Sequence, residues 1–151
     1  MDTIDRRIIA ALQRDGRQKL ADLSVMVGLS PTPVARRIAR LEELGIITGY
    51  AARIDQEKLG LPLNAFIFVE LEHHGRDAVK AFENGLRRFD EVMECYLMTG
   101  TRDVLIRVVA ADLAGFDRFL EDGLMQMPNI RAMRSSFALR TMIRRDALPE
   151  V

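Results

Sequence analysis

Apolar residues recur every three or four positions in three stretches of the first fifty residues, which predicts three short amphipathic helices. The helices are predicted at residues 4–14, 20–27 and 31–44. Each has one apolar face, and the three faces together can enclose a small core. The apolar positions are Ile4, Ile8, Ala11, Leu12, Leu20, Leu23, Met26, Val27, Val34, Ile38 and Leu41.

The turn between the second and third helices carries residues that suit a tight connection. Gly28 follows the second helix directly, where the backbone commonly needs a positive φ. Ser30 is suited to cap the third helix, and Pro31 occupies its first position, where no amide hydrogen is needed. Gly45 ends that helix. The arrangement is typical of a helix-turn-helix unit, whose second helix enters the major groove of DNA.

The third helix presents basic residues on its outer face. At about 100° per residue, Thr32, Arg36 and Arg40 lie nearly opposite the apolar stripe, and Arg37 lies on its flank. Arginine can donate two hydrogen bonds to guanine. A solvated helix face is the alternative, but the turn, the caps and the small residues beside the arginines favour DNA contact. The predicted DNA-contacting residues are Ser30, Thr32, Arg36, Arg37 and Arg40.

The segment that follows separates two predicted domains. Residues 46–54 are rich in β-forming residues and could form a wing or the first strand of a connector. Residues 55–62 contain Gly60 and Pro62 and are interpreted as a linker. A DNA-binding domain is therefore predicted at residues 1–54 and a second domain at residues 63–151.

Beyond the linker the apolar period changes to two, which indicates β-strands. Both faces of the strand at 63–72 are partly apolar. One face could meet helices, and the face bearing Phe66 and Phe68 could meet a second copy of the protein, so at least a dimer is predicted. The order β-α-β-β-α-β predicts an α+β, ferredoxin-like sandwich. Further strands are predicted at 91–99, 103–110 and 129–144, and helices at 76–88 and at 112–127, the latter with Leu113, Phe116, Leu120 and Leu124 inward.

Composition changes this picture only in part. The net charge is zero, but residues 1–50 hold eight Lys/Arg and six Asp/Glu, a net charge of +2. The half of the chain with the helix-turn-helix pattern is therefore the basic half.

The single cysteine, Cys95, excludes an intramolecular disulfide and is expected in the core. No apolar run approaches 18 residues and no leader precedes the first helix, so a cytoplasmic protein is expected. His73 and His74 lack the spacing of a metal site, and no catalytic triad, phosphate loop or cofactor signature is present.

Several short motifs, taken in order, resemble those of one family of regulators. They are Asp5, Gln13-Arg14-Asp15-Gly16-Arg17, Leu23-Ser24, Val27-Gly28-Leu29-Ser30, Arg36-Arg37, Leu41-Glu42, Gly45-Ile46-Ile47, Gly49-Tyr50, Glu94-Cys95, Thr99-Gly100, Asp103 and Met127-Pro128-Asn129-Ile130. Along essentially its whole length the chain resembles the feast/famine regulators of the Lrp/AsnC family.

The resemblance implies a winged helix-turn-helix joined to an effector-sensing αβ sandwich. It also implies dimers that assemble into tetramers, octamers or larger discs. Such proteins regulate amino-acid metabolism or transport, and an amino acid tunes their assembly and their affinity for DNA. No cofactor is implied.

The resemblance also implies an effector site at the loop of residues 99–103. Thr101 and Arg102 stand where the family commonly has an acid and an aromatic residue, so the effector could be unusual or absent. Exposed amides of the Gly loop could hold a carboxylate, and Asp103 could pair with an ammonium group. Alternatively the loop is only a hairpin whose Asp103 bonds backbone amides. The candidate effector-binding residues are Thr99, Gly100, Thr101, Arg102, Asp103 and Ser136.

Two other classes of function stay open at this point. Proteins that resemble this family have used the same architecture to decarboxylate tetrapyrroles, although the low aromatic content (6%) and the intact arginine face argue against an enzyme here. The chain could also be a partner-dependent assembly module with no operator of its own. The main prediction is a sequence-specific DNA-binding regulator of transcription.

Overall fold

The computed structural model describes residues 1–149, which form two compact units. One unit contains Met1–Arg53 together with the C-terminal residues from Met142 onward. The other contains Ile54–Thr141. No helix in the described part of the chain is long and apolar enough to cross a membrane.

The N-terminal unit is built from three helices. They are α1 (Thr3–Arg14), α2 (Leu20–Val27) and α3 (Pro31–Glu43). One core cluster joins them, and its central side chains, Ile8, Leu23 and Val34, are at most 1% exposed. Each of these side chains contributes about 1.5–3 kcal/mol by leaving water. The predicted helical bounds are confirmed to within a residue or two, as are the apolar stripes of α1 and α3. In α2, Leu20 and Met26 are 36% and 43% exposed, which corrects their assignment to the apolar face. Leu20 is the first residue of the helix, and Met26 lies about 100° around the helix from the buried Val27.

The first helix begins with two reciprocal hydrogen bonds. The Asp5 N–H donates to Asp2 Oδ1 over 2.9 Å, and the Asp2 N–H donates to Asp5 Oδ2 over 3.0 Å. This capping box satisfies two of the amides that a helix start leaves without partners.

The strand or wing expected at residues 46–54 does not form. The Ile46 and Ile47 amides donate to the Leu41 carbonyl and so belong to the end of α3. Residues 48–54 form no strand, and the described part of this unit contains no strand beside them. Gly49, within this segment, has φ 152°. Without a neighbouring strand, the β-forming side chains have no ladder to join. The predicted linker, residues 55–62, contains a hydrogen-bonded turn from Asp55 to Leu61.

The second unit is an antiparallel sheet with helices on one face. The elements are β1 (Leu63–Leu71), α4 (Arg76–Leu86), β2 (Val92–Leu97), β3 (Val104–Ala110), α5 (Leu113–Arg118) and β4 (Ile130–Phe137). The strands lie in the order β2-β3-β1-β4, which is the ferredoxin-like arrangement predicted from the β-α-β-β-α-β order. Ala65, Ile67 and Val69 of the inner strand β1 are fully buried on the helix side.

The second helix of the sandwich is shorter than the 112–127 predicted. After α5 the chain forms a π-helical turn, Phe119–Gly123, and a 3₁₀ turn, Leu124–Gln126. The wider turn lets Phe119 and Leu124, five residues apart, both reach the core. Phe116 is buried as predicted, but Leu113 is 64% exposed, which corrects its inward assignment.

The last strand also ends before the predicted residue 144. The Ala138 amide donates to the Asn64 carbonyl, and β1 begins at Leu63, so no neighbouring strand remains for later residues to pair with. Cys95 is exposed rather than buried, because β2 is an edge strand of the sheet. Both differences follow from where strands lie in the sheet.

Candidate nucleic-acid interface

The turn between α2 and α3 is fixed by one glycine. Gly28 has φ 71° and ψ 32°, the left-handed conformation that favours glycine. Its N–H donates to the carbonyls of Ser24 and Val25, and the Leu29 N–H donates to that of Ser24. No atom outside its chain neighbours lies within 4 Å of where a Cβ would stand, so the backbone conformation alone requires glycine.

The third helix begins as the sequence predicts, with one difference. Ser30 has the extended conformation of an N-cap and Pro31 occupies the first helical position. The Ser30 hydroxyl makes no capping hydrogen bond within the described residues. The exposed Ser30 hydroxyl therefore accepts no hydrogen bond from the first amides of α3.

The outer face of α3 is polar, basic and accessible. Thr32, Arg36 and Arg40 are exposed, one helical turn apart, while Val34 and Leu41 are buried on the opposite side. Within residues 1–149, neither Arg36 nor Arg40 lies within 4 Å of a carboxylate. Both guanidinium groups can therefore bind a phosphate or a base edge without first breaking an ion pair.

Arg37 is placed differently from the other two arginines. Its Nη1 lies 2.7 Å from Asp5 Oδ1 and 2.8 Å from Asp2 Oδ2. The Asp5 side chain is 7% exposed and that of Arg37 is 28% exposed. The pair ties α3 to the capped start of α1, so Arg37 positions the helix rather than joining its outer face. The Asp-x-x-Asp pattern at the start of α1 indicates the capping box, but it does not reveal the contact of these two acids with Arg37.

These contacts shift the ionisation of all three side chains. The Asp5 N–H and the Arg37 guanidinium lower the pKa of Asp2. Burial raises the pKa of Asp5, but hydrogen bonds from the Asp2 N–H and from Arg37 outweigh it and leave that pKa lowered. Hydrogen bonds to Asp5 and Asp2 raise the pKa of Arg37. The ionised forms therefore stabilise the three-helix unit.

The candidate effector loop, Thr99–Asp103, joins β2 to β3. Gly100 has φ 115°, and the Met98 N–H donates to the Asp103 carbonyl over 2.7 Å. The Asp103 carboxylate accepts from the Leu71 N–H over 2.8 Å, and its other oxygen lies 3.3 Å from His74 Nδ1. Asp103 therefore accepts a hydrogen bond from a backbone amide, as in the hairpin alternative described above. A ligand ammonium group would compete with His74 for this carboxylate.

Arg102 lies over the sheet face that the helices do not cover. Its guanidinium carbon is 4.5 Å from the centre of the Phe68 ring, a cation–π contact. Phe68 pairs with Arg134 on β4. Arg102 therefore joins the loop to the open sheet face.

Ser136 does not join the loop within one chain. It pairs with Phe66, whereas Asp103 contacts Leu71, five residues further along β1. At about 3.3 Å per residue, the separation along the strand is about 16 Å. The structure thus leaves Ser136 far from Asp103, on the open face of the sheet. Arg102 is the loop side chain that reaches this face, over Phe68, two residues along β1 from the partner of Ser136.

The two adjacent histidines lie at the end of β1. The His73 N–H donates to Asn129 Oδ1 over 2.7 Å, and His74 contacts Asp103, a carboxylate that spacing along the chain does not reveal. No cluster of three or more potential metal ligands occurs in the described residues.

A helix-turn-helix with an accessible basic helix, followed by an αβ sandwich, defines a two-part DNA-binding regulator. Two family models match the chain: an AsnC-type helix-turn-helix domain at residues 1–42 and an Lrp/AsnC ligand binding domain at residues 64–148. The chain belongs to the Lrp/AsnC family of transcriptional regulators.

Relatives agree with this membership over nearly the whole chain. The Bkd operon transcriptional regulator of Pseudomonas aeruginosa is 42% identical over 149 residues, covering 99% of this chain and 97% of that protein. The leucine-responsive regulatory protein of Escherichia coli K12 is 34% identical, covering 89% and 82%. A transcriptional regulator from Neisseria meningitidis, solved as an L-Met complex, is 35% identical with a TM-score of 0.92, covering 99% and 96%.

Proposed function

We propose that the chain is a sequence-specific DNA-binding regulator whose helix α3 reads its operator. The observation that carries this proposal is the contrast among the three arginines. Arg36 and Arg40 are exposed and unpaired within residues 1–149, whereas Arg37 is held by Asp2 and Asp5. The outer face of α3 is thus a rigid basic surface, because its third arginine fixes the helix in place.

The regulated processes proposed are amino-acid metabolism or transport, with an amino-acid-like effector that tunes assembly or DNA affinity. The names of the relatives support this class of effector, since one is leucine-responsive and another was solved with L-Met. The proposed effector site is the Thr99–Asp103 loop. A ligand carboxylate would bind the exposed amides of the loop, and its ammonium group would displace His74 from Asp103.

Self-association is part of the same proposal. The open face of β1 carries Phe66 and Phe68, both half-buried, on the side away from the helices. A second copy placed on this face would cover these rings and would bring Ser136 of β4 into an interface. Dimers, and tetramers or octamers built from them, are therefore proposed.

Operator binding is the direct test. Fluorescence anisotropy of the full chain on DNA from upstream of its own gene would compare the wild type with Arg36→Ala and Arg40→Ala. Each variant is expected to lose roughly fivefold or more in affinity, because a good arginine–guanine pair contributes about 1–3 kcal/mol of discrimination. Arg118→Ala, an exposed arginine of the sandwich, is the matched control.

Unchanged operator affinity in both α3 variants would overturn the assignment of this face. Adding single amino acids to the wild-type titration tests the effector. A shift with one amino acid that disappears in Asp103→Asn, which keeps an acceptor for the Leu71 amide, supports the loop site. No shift with any amino acid removes the effector from the proposal.

A further inference from the structure

A second basic surface lies in the N-terminal unit, away from the outer face of α3. Two adjoining cavities of about 470 and 440 Å³ open beside α1 and share Ala11, Arg14 and Met26. One continues along α1 to Thr3, and the other continues to the loop before α2. Together they form a single surface depression, called here the α1 groove.

Five cations surround this groove. All five side chains are exposed, and none lies within 4 Å of a carboxylate in the part of the chain that the structure describes. The acids nearby are Asp15 and Asp22, and the Asp15 carboxylate accepts from the Arg17 N–H. The cations are Arg6, Arg7, Arg14, Arg17 and Lys19.

The groove keeps a net positive charge because Asp15 and Asp22 offset only two of its five cations, and α1 and its cap direct their own acids elsewhere. Asp2 and Asp5 are held by Arg37 on the side that faces α3. At 100° per residue, Arg6 lies about 160° and Arg14 about 120° around α1 from the buried Ile8, so both face away from the core. Like charges one or two turns apart repel, so an ordinary solvated helix face would intersperse acids among them. This face does not, which indicates an anionic partner.

We propose that the α1 groove binds the phosphate backbone of DNA that flanks the operator read by α3. This inference rests on the proposed function, since it extends a DNA contact already assigned to the same unit. DNA fits better than a protein partner because four of the five cations are arginines, whose planar donors match phosphate oxygens two at a time. The contact would add affinity without sequence preference, because phosphates carry no base identity.

The test is the salt dependence of binding on two lengths of DNA. One duplex carries the operator alone, and the other carries the operator with flanking DNA on both sides. A triple variant, Arg6→Gln with Arg7→Gln and Arg14→Gln, is compared with the wild type and with a matched control. The control, Arg76→Gln with Lys80→Gln and Arg118→Gln, removes the same charge from exposed positions of the sandwich.

The groove variant is expected to flatten the slope of log K against log [salt] by about 2.7 on the longer duplex, since each lost phosphate contact removes about 0.9. On the operator alone its slope should equal that of the wild type, and its preference for the operator over random DNA should persist. Replacing the same arginines by lysine should restore most of the slope on the longer duplex, which separates lost charge from lost folding.

Equal slopes for the groove variant and the control on the longer duplex would overturn the inference. A slope that falls equally on both duplexes would overturn the flanking location, because the contact would then lie within the operator. If the wild type shows no preference for any operator, the proposed function itself fails. A loss of operator preference in the Arg36 or Arg40 variants, but not in the groove variant, is the expected result and assigns the reading of sequence to α3 alone.

Discussion

Arg37 Nη1 lies 2.7 Å from Asp5 Oδ1, and this contact separates one arginine of α3 from its two neighbours. Arg37→Gln removes the cation while the Asp5 carboxylate stays buried, so we expect the N-terminal unit to lose stability. Arg36→Gln and Arg40→Gln alter exposed groups and should change the unfolding free energy by no more than about 0.5 kcal/mol. Thermal unfolding of the three variants checks this order, and an equal Tm for all three would contradict it.

Acid should destabilise the N-terminal unit by protonating Asp2 and Asp5, the two carboxylates that contact Arg37. The pKa values of Asp2 and Asp5 are lowered in the folded state from the ordinary value of 3.8. A carboxyl group with a lowered folded-state pKa stabilises the fold above its unfolded value, and that contribution is lost as the pH falls through the folded value. We therefore expect stability to decline below about pH 4. Asp5→Asn should flatten this decline, measured by circular dichroism against pH.

The conformation of Gly28 predicts a graded cost of substitution. Its φ of 71° is strained for residues with a Cβ, so Gly28→Ala should cost about 1–2 kcal/mol of unfolding free energy. Gly28→Asn should cost less, because asparagine tolerates the left-handed region better. Chemical denaturation of both variants gives the order. An alanine variant as stable as the wild type would show that the turn adopts another conformation.

The Asp103 carboxylate supports the β2–β3 hairpin through the Leu71 amide. Asp103→Ala removes that acceptor and should destabilise the sandwich by about 1–3 kcal/mol. Asp103→Asn keeps an acceptor oxygen while removing the charge that faces His74, so it should retain more stability than the alanine variant. Urea denaturation monitored over the two variants tests the distinction. Identical losses would mean that the charge, rather than the hydrogen bond, supports the hairpin.

The open face of β1 predicts the oligomeric state. Phe68→Arg places a third guanidinium beside Arg102 and Arg134 where the proposed partner sheet would lie, and a buried unpaired charge is costly. We expect the wild type to sediment as a dimer or larger species at micromolar concentration and Phe68→Arg to sediment as a smaller one. Leu113→Arg, at an exposed position of α5, is the control. A monomeric wild type would contradict the proposed interface.

The sequence predicted those elements whose partners are close along the chain. The stripes of α1, α2 and α3, and the strand order of the sandwich, follow from local periodicity and from short connections. Leu113 and Cys95 were placed in the core wrongly, because periodicity cannot show that the core does not extend to the first residue of α5 or which strand forms the edge of a sheet. The missing strand at 46–54 has the same cause, since β-propensity needs a neighbouring strand.

The candidate site divides in the same way. The exposed positions of Arg36 and Arg40 follow from helical geometry alone. The Asp2–Arg37 and His74–Asp103 contacts join residues 35 and 29 positions apart, and no spacing rule predicts them. Only the folded structure distinguishes Arg37, which holds α3 against α1, from Arg36 and Arg40, which are exposed to solvent.

The position of Cys95 on an edge strand has a practical consequence. The chain has one cysteine, so this exposed thiol is a single attachment point for a fluorophore or a spin label, with no background from other cysteines. Partial burial of the thiol and the nearby Glu83 carboxylate raise the pKa of Cys95, so maleimide coupling at neutral pH will be slow and mildly alkaline buffer will speed it. A label there is attached to the sandwich, which allows the proposed effector binding to be tested by titration with single amino acids in the absence of DNA.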